Sequence, residues 1–182
     1  MANGLTGRFR IAGKEQGVTL VELLIILVII GITLSLAVPA YQNMTARNRI
    51  ATQTNDMLVA ITLARSEALR ISRTVSVQAD SPNAGDEFGN GWCVVVGNPG
   101  NCTGAIRKFA GLDGALTLAS VEGVTSLQFN GMGALTNLGG DSSRSLDMCS
   151  PEQQGRRIFI SAMGRAKSHK PTDVDPAKQP AC

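Results

Sequence analysis

From Val18 to Val38 the chain is apolar on every side, with one charged side chain, Glu22. A helix of that length spans a bilayer core of about 30 Å. Only a segment that closes its own backbone hydrogen bonds can do so, because hydrocarbon offers none. The remaining sequence is polar and rich in glycine turns. The 182 residues therefore read as one membrane segment near the start and room for one soluble domain behind it.

Charge sets the expected orientation. Arg8, Arg10 and Lys14 stand before the apolar run, against Glu15 alone. Basic residues beside a first membrane helix stay in the cytoplasm, so the bulk of the chain is expected on the far side, in a bacterium the periplasm. Cysteine usage agrees. Cys93, Cys102, Cys149 and Cys182 all lie in the exported part, and an even count in an oxidising compartment suggests two disulfides. Three pairings exist. The favoured one joins Cys93 to Cys102, close in sequence, and Cys149 to Cys182, which ties down the tail. A zinc site is the competing reading, but the paired CxxC or HxxxH spacing is missing.

The start is also unlike a secretory signal peptide. The apolar run is too long, and the small-residue boundary precedes it instead of following it. That boundary reads Gln16-Gly17-Val18-Thr19-Leu20-Val21-Glu22-Leu23-Leu24. It resembles the class III signal of type IV prepilins: a glycine, a hydrophobic residue, then Thr-Leu-x-Glu-Leu. The resemblance implies cleavage by a prepilin peptidase between Gly17 and Val18 and methylation of the new amino terminus. Val18 departs from the Phe that most members carry there. The resemblance also gives Glu22 a role. A carboxylate inside a membrane helix costs a few kcal/mol on insertion scales and needs a partner. The family's filament offers the amino terminus of a neighbouring subunit, and two opposite charges in a low dielectric must meet for both to be tolerated. Glu22 is then a register device. The competing reading is a simply protonated side chain.

Gly31 and Pro39 interrupt the helix former, and proline removes a backbone donor. In related filaments this region melts on assembly, which makes Gly31 to Pro39 a candidate. Beyond Pro39 the pattern turns amphipathic. Ile50, Thr54, Met57, Ile61, Ala64 and Ala68 step by four and three along one face, and Leu58 and Leu69 widen the stripe. A single helix is expected from about Val18 to Arg73. Tyr41 is expected at a membrane–water interface. The period then changes. Strands are predicted at Thr74–Val77, Gly91–Val96, Ile106–Phe109, Leu116–Leu118, Ser126–Phe129 and Arg157–Ser161. Turn clusters at Ser81–Gly91, Gly97–Gly104 and Gly139–Ser145 separate them. Gly131 to Gly140 reads as a mobile loop, a candidate face for another subunit. Trp92, Phe129 and Phe159 are expected in the core, with Met44, Met57 and Met132 as packing residues. The predicted class is α+β: a long N-terminal transmembrane and amphipathic helix packed on a small antiparallel β-sheet head. The expected division is a leader over 1–17, a transmembrane helix over 18–45, and a periplasmic head over 46–182, helical to 73 and β-rich from 74.

The head narrows the resemblance. Ala64-Arg65-Ser66-Glu67-Ala68, a strand, a Gly-Trp strand, then Gly155-Arg156-Arg157-Ile158-Phe159-Ile160-Ser161 and Gly164-Arg165-Ala166-Lys167 are similar to the GspH/FimT group of minor pilins and pseudopilins. The Cys149 strand and the terminal Cys182 lean to its FimU-type branch. That branch implies a subunit that helps start pilus assembly and sits near the tip. Its implied partners are the prepilin peptidase, other minor pilins, the major pilin and inner-membrane lipid. A type II secretion pseudopilin shares the architecture.

Arg156, Arg157, Arg165, Lys167 and Lys170 crowd together beside His169, the pattern of a phosphate-backbone partner. In the FimT-type branch a Gly-Arg-x-Arg motif here takes part in DNA capture, which makes Gly164, Arg165, Lys167, Arg156, Arg157 and Lys170 candidate DNA-binding residues. Lys167 stands for the second arginine and keeps the charge without the planar fork. The competing reading is a solvated face, softened by Asp173 and Asp175, without aromatic interleaving for stacking. The leader holds +2 of the chain's +3 formal charge, so the exported part is nearly neutral. No nucleophile motif, phosphate loop, dinucleotide fingerprint or metal-ligand cluster is legible. His169 reads as an exposed tail residue, and neither catalysis nor a cofactor is expected.

Overall fold

The structure, a computed structural model, describes residues 17–138, 143–151, 153–170, 180 and 182. The chain divides into two units, residues 1–41 and 42–182. Helix α1, Leu20–Ile71, contributes to both, and each unit is described by itself.

In the first unit α1 begins after Thr19. The Glu22 backbone N–H donates to Thr19 Oγ1 at 3.2 Å, so the threonine caps the helix and satisfies one of its orphan donors. Glu22 lies in the first turn, where the helix dipole favours an anion. Two polar residues inside the apolar run satisfy themselves. Thr33 Oγ1 donates to the carbonyls of Ile29 and Ile30 at 3.0 and 2.9 Å, and Ser35 Oγ to Ile32 O at 2.7 Å, as hydroxyls in apolar helices do. The apolar side chains from Val18 to Val38 are exposed all round. The helix is long and apolar enough to cross a membrane. It continues through Pro39.

In the second unit α1 becomes one-sided. Ile50, Thr54, Met57, Ala60, Ile61, Ala64 and Ala68 are buried. This is the face expected from spacing, with Ala60 added. Leu69 does not widen it: the side chain is 47% exposed. The helix ends at Ile71, and Ser72 turns the backbone to a φ of 52°.

Eight strands follow: β1 Val75–Ala79, β2 Trp92–Val96, β3 Arg107–Phe109, β4 Thr117–Ser120, β5 Ser126–Phe129, β6 Ser143–Cys149, β7 Arg156–Ser161 and β8 Ala166–His169. They form two antiparallel four-stranded sheets, ordered β3-β2-β1-β5 and β4-β6-β7-β8. Val75, Val77, Trp92, Val94, Leu127 and Phe129 from the first sheet, and Leu118, Leu146, Met148, Ile158 and Ile160 from the second, share one core with the α1 stripe.

Six strands lie where the sequence pattern predicts them, within a few residues. Two features differ. Strand β8 is too short and polar (Ala-Lys-Ser-His) to show a strand pattern, and it exists because β7 offers it a partner. Strand β6 starts at Ser143, inside the predicted turn cluster, because β7 pairs with it from that residue, while β4 joins from Leu146. The described part of the segment from Gly131 is tied to its neighbours. Leu135 is buried and its N–H donates to Ala162 O at 2.9 Å. Asn137 accepts from Gln128 N at 3.0 Å. Residues 139–142 lie outside the described set. Phe159 is half-buried, on the side of β7 opposite Ile158 and Ile160. Met44 and Met132 are exposed.

Disulfides join Cys93 to Cys102 and Cys149 to Cys182, with Cα–Cα distances of 5.8 and 5.5 Å. The first fastens the end of a loop to β2. The second fastens Cys182 to the end of β6.

The buried stripe is expected to dominate stability. Ile61→Ala should cost about 2–5 kcal/mol, the range for large-to-small changes in a packed core. Leu69→Ala should stay within about 0.5 kcal/mol, as exposed changes do. Urea unfolding followed by the fluorescence of Trp92 measures both.

Candidate functional sites: a processing boundary and two basic hollows

Gly17 and Val18 precede the helix, and both are exposed. A side chain at Gly17 would meet nothing within 4 Å. The fold has no steric need for glycine there, unlike Gly164. That residue has a φ of +70° and a backbone packed so closely on Gly133 that a Cβ would collide with its carbonyl. The capping role of Thr19 was missed in the sequence reading, although the signal is present: Thr-x-x-Glu before an apolar run is a capping-box pattern.

The basic cluster seen in sequence separates in space. Strand alternation turns Arg156 and Arg157 to opposite faces of β7. Arg157 is committed: its Nε and one terminal nitrogen donate to the two Asp147 carboxylate oxygens, each at 2.7 Å. The pair is almost buried, with 12% and 6% of the side chains exposed. This bidentate bond to Asp147 raises the Arg157 pKa above the ordinary guanidinium value.

Arg165 and Lys167 line a hollow of about 360 Å³ with Gly164, Thr62, Ser66 and Arg65. The Arg65 Nε donates to Gly133 O at 3.0 Å, which holds a third cation at this hollow from α1. Sequence distance concealed Arg65. Gly164 has a structural duty here, since its N–H donates to Ser161 O at 2.8 Å in the turn between β7 and β8.

Arg156 and Lys170 line a different hollow, of about 280 Å³, with Arg47, Ile50, Gln153 and Gln154. His169 is half-buried in β8 opposite Arg157 and is not a free tail residue. All four cysteines are in disulfides. No group of three metal-ligating side chains is found among the described residues.

Comparison with known proteins gives this arrangement a family. The pattern of the type II transport protein GspH family matches residues 53–164. The prokaryotic N-terminal methylation motif matches residues 13–38. Two fimbrial proteins of Pseudomonas aeruginosa are each 37% identical over 62 residues, 34% of this chain and 40% of theirs. The chain thus spans less than half the length of these relatives. Two crystal structures of the type IV minor pilin FimU from Pseudomonas aeruginosa resemble the fold. One has a TM-score of 0.61 at 26% identity, covering 76% of this chain and 97% of that one. The other has a TM-score of 0.55 at 27% identity, covering 72% and 95%. The GspH family pattern covers more than half of this sequence, a methylation motif spans the start of the apolar helix, and the fold resembles a minor pilin: the chain belongs to the GspH family of type IV pilin-like proteins.

Proposed function

We propose that this chain is the precursor of a minor pilin that a prepilin peptidase cuts after Gly17, leaving Val18 as a methylated amino terminus. The mature subunit is held in the inner membrane by α1 with its head in the periplasm. It then joins other minor pilins and the major pilin, starting the filament or standing at its tip. The observation that carries this reading is the methylation motif over residues 13–38, which runs into the start of a helix whose apolar side chains are exposed on all sides there. Such a surface needs lipid before assembly and other helices after it. Within that surface Thr33 and Ser35 satisfy themselves, so Glu22 is the group that gains from a partner charge. In the filament that charge is the terminal ammonium of a neighbour.

A second reading, DNA capture, has its own support: exposed Arg165 and Lys167 share a hollow with Arg65, and phosphate contacts tolerate lysine in place of arginine. A pseudopilin of type II secretion is the reading that the family's description favours.

Mass spectrometry of the chain expressed with a prepilin peptidase should find a product that begins at methylated Val18. Gly17→Asp should leave the leader attached, and processing of that variant would refute the site. Glu22→Ala should insert and be processed normally yet enter filaments poorly, and wild-type incorporation would remove the register role. For DNA, titration at two salt concentrations should give salt-sensitive binding that Arg165→Ala with Lys167→Ala lowers at least tenfold. A folded, oxidised head that binds no DNA at low salt would exclude this reading.

A further inference from the structure

The second basic hollow reaches beyond the residues that the family pattern matches, since Arg47 and Lys170 lie outside residues 53–164. It is built from three separate parts of the chain. Arg47 comes from α1, Gln153, Gln154 and Arg156 from the approach to β7, and Lys170 from the residue after β8. Arg157 faces His169 in the β7–β8 ladder, so the next residues outward, Arg156 and Lys170, flank each other at the sheet end. Like charges so placed repel across a strand pair. Arg47 adds a third positive charge. No carboxylate lines the hollow among the described residues, in contrast to Arg157 one position away, which is neutralised by Asp147.

The hollow is also held in shape. Arg47 Nε donates to Gln153 Oε1 at 3.0 Å, and Gln153 Nε2 donates to Asn43 Oδ1 at 2.8 Å. This chain orients the guanidinium through its Nε. Gly155, between the glutamines and Arg156, packs so closely on Met148 O and the Cys182 Sγ that a Cβ would collide with both. The Cys149–Cys182 disulfide therefore packs against the backbone between Gln154 and Arg156. Ile50, 2% exposed, closes one side with apolar surface. An apolar wall lowers the local dielectric and strengthens attraction to a charged guest. A donor already held in place, as Arg47 is by Gln153, binds at a lower ordering cost.

We infer that this hollow is a binding site for a phosphate group, held by Arg47, Arg156 and Lys170 with the Gln153 and Gln154 amides beside them. A tetrahedral polyanion uses several donors converging from different directions, and arginine forks suit its oxygens. Two sources present this chemistry, the headgroup of an anionic phospholipid and free inorganic phosphate. The site stands whether or not the filament reading holds.

The test uses the full, oxidised chain in a neutral, phosphate-free detergent, titrated calorimetrically with inorganic phosphate. The expected result is saturable binding that weakens with added salt and falls at least tenfold in the Arg156→Gln, Lys170→Gln double variant. A charge-matched control, Arg73→Gln with Lys108→Gln, removes two exposed cations elsewhere and should bind as the wild type does. Unchanged thermal unfolding and intact disulfides in each variant exclude misfolding as the cause of a loss. Absence of saturable heat up to about 10 mM phosphate, an affinity of only a few kcal/mol, would overturn the site, as would equal loss in both double variants. Adding phosphatidylglycerol or phosphatidylcholine to the micelles then identifies the source. Suppression of the titration by phosphatidylglycerol alone assigns a lipid headgroup, and suppression by neither assigns free phosphate.

Discussion

One helix carries two different surfaces, and the rest of the molecule follows from that division. From Val18 to Val38 the side chains of α1 are apolar in every direction and exposed. From Ile50 to Ala68 a single stripe is buried and the opposite side is wet. Water is a poor solvent for the first surface and a good one for half of the second. The first therefore depends on lipid or on other helices, while the second finds its partner in the chain's own sheets. Thr33 and Ser35 return their hydroxyls to the helix backbone, which leaves Glu22 as the one ionisable group in the apolar run. Its position in the first turn, next to a threonine cap, places the carboxylate where the helix dipole already favours it.

The head solves a separate problem, which is to make a stable core from short strands. Neither sheet has more than four strands, and β3, β4, β5 and β8 are four residues long or less. Packing both sheets and the α1 stripe into one apolar cluster compensates for that shortness, since isolated small sheets are marginal in water. The disulfides hold parts that the core does not reach: a loop beside β2 and the chain end beside β6. The Asp147–Arg157 pair adds a satisfied charge bridge on the outer face of the second sheet. Such a bridge is costly to break because either partner alone would be a nearly buried, unpaired charge.

Much of this was legible in the residues. Helical spacing identified the buried stripe, because a period of 3.6 survives in sequence whatever lies opposite it. Strand patterning located six strands, Thr74–Val77 and Ser126–Phe129 by alternation and the rest as short runs between turns. It failed at β8, where Ala166, Lys167, Ser168 and His169 carry no apolar alternation and the strand exists through pairing alone. It also failed at the start of β6, where Ser143 and Ser145 look like turn residues but are held by pairing with β7. The exposure of Leu69, Met44 and Met132 was not legible either, since an apolar residue near the edge of a stripe is buried only if another element reaches it.

The sequence by itself determined the membrane-length helix and the α+β class, because both rest on local composition and period. Tertiary structure decided how the positive charges are used. Arg156 and Arg157 are neighbours in the chain, yet strand alternation sends one to a hollow with Arg47 and Lys170 and the other to Asp147. Arg165 and Lys167 meet Arg65 from a helix a hundred residues earlier in the chain. A run of basic residues states how much charge is present; only the pairing of strands and the packing of α1 state which charges share a site and which are already neutralised.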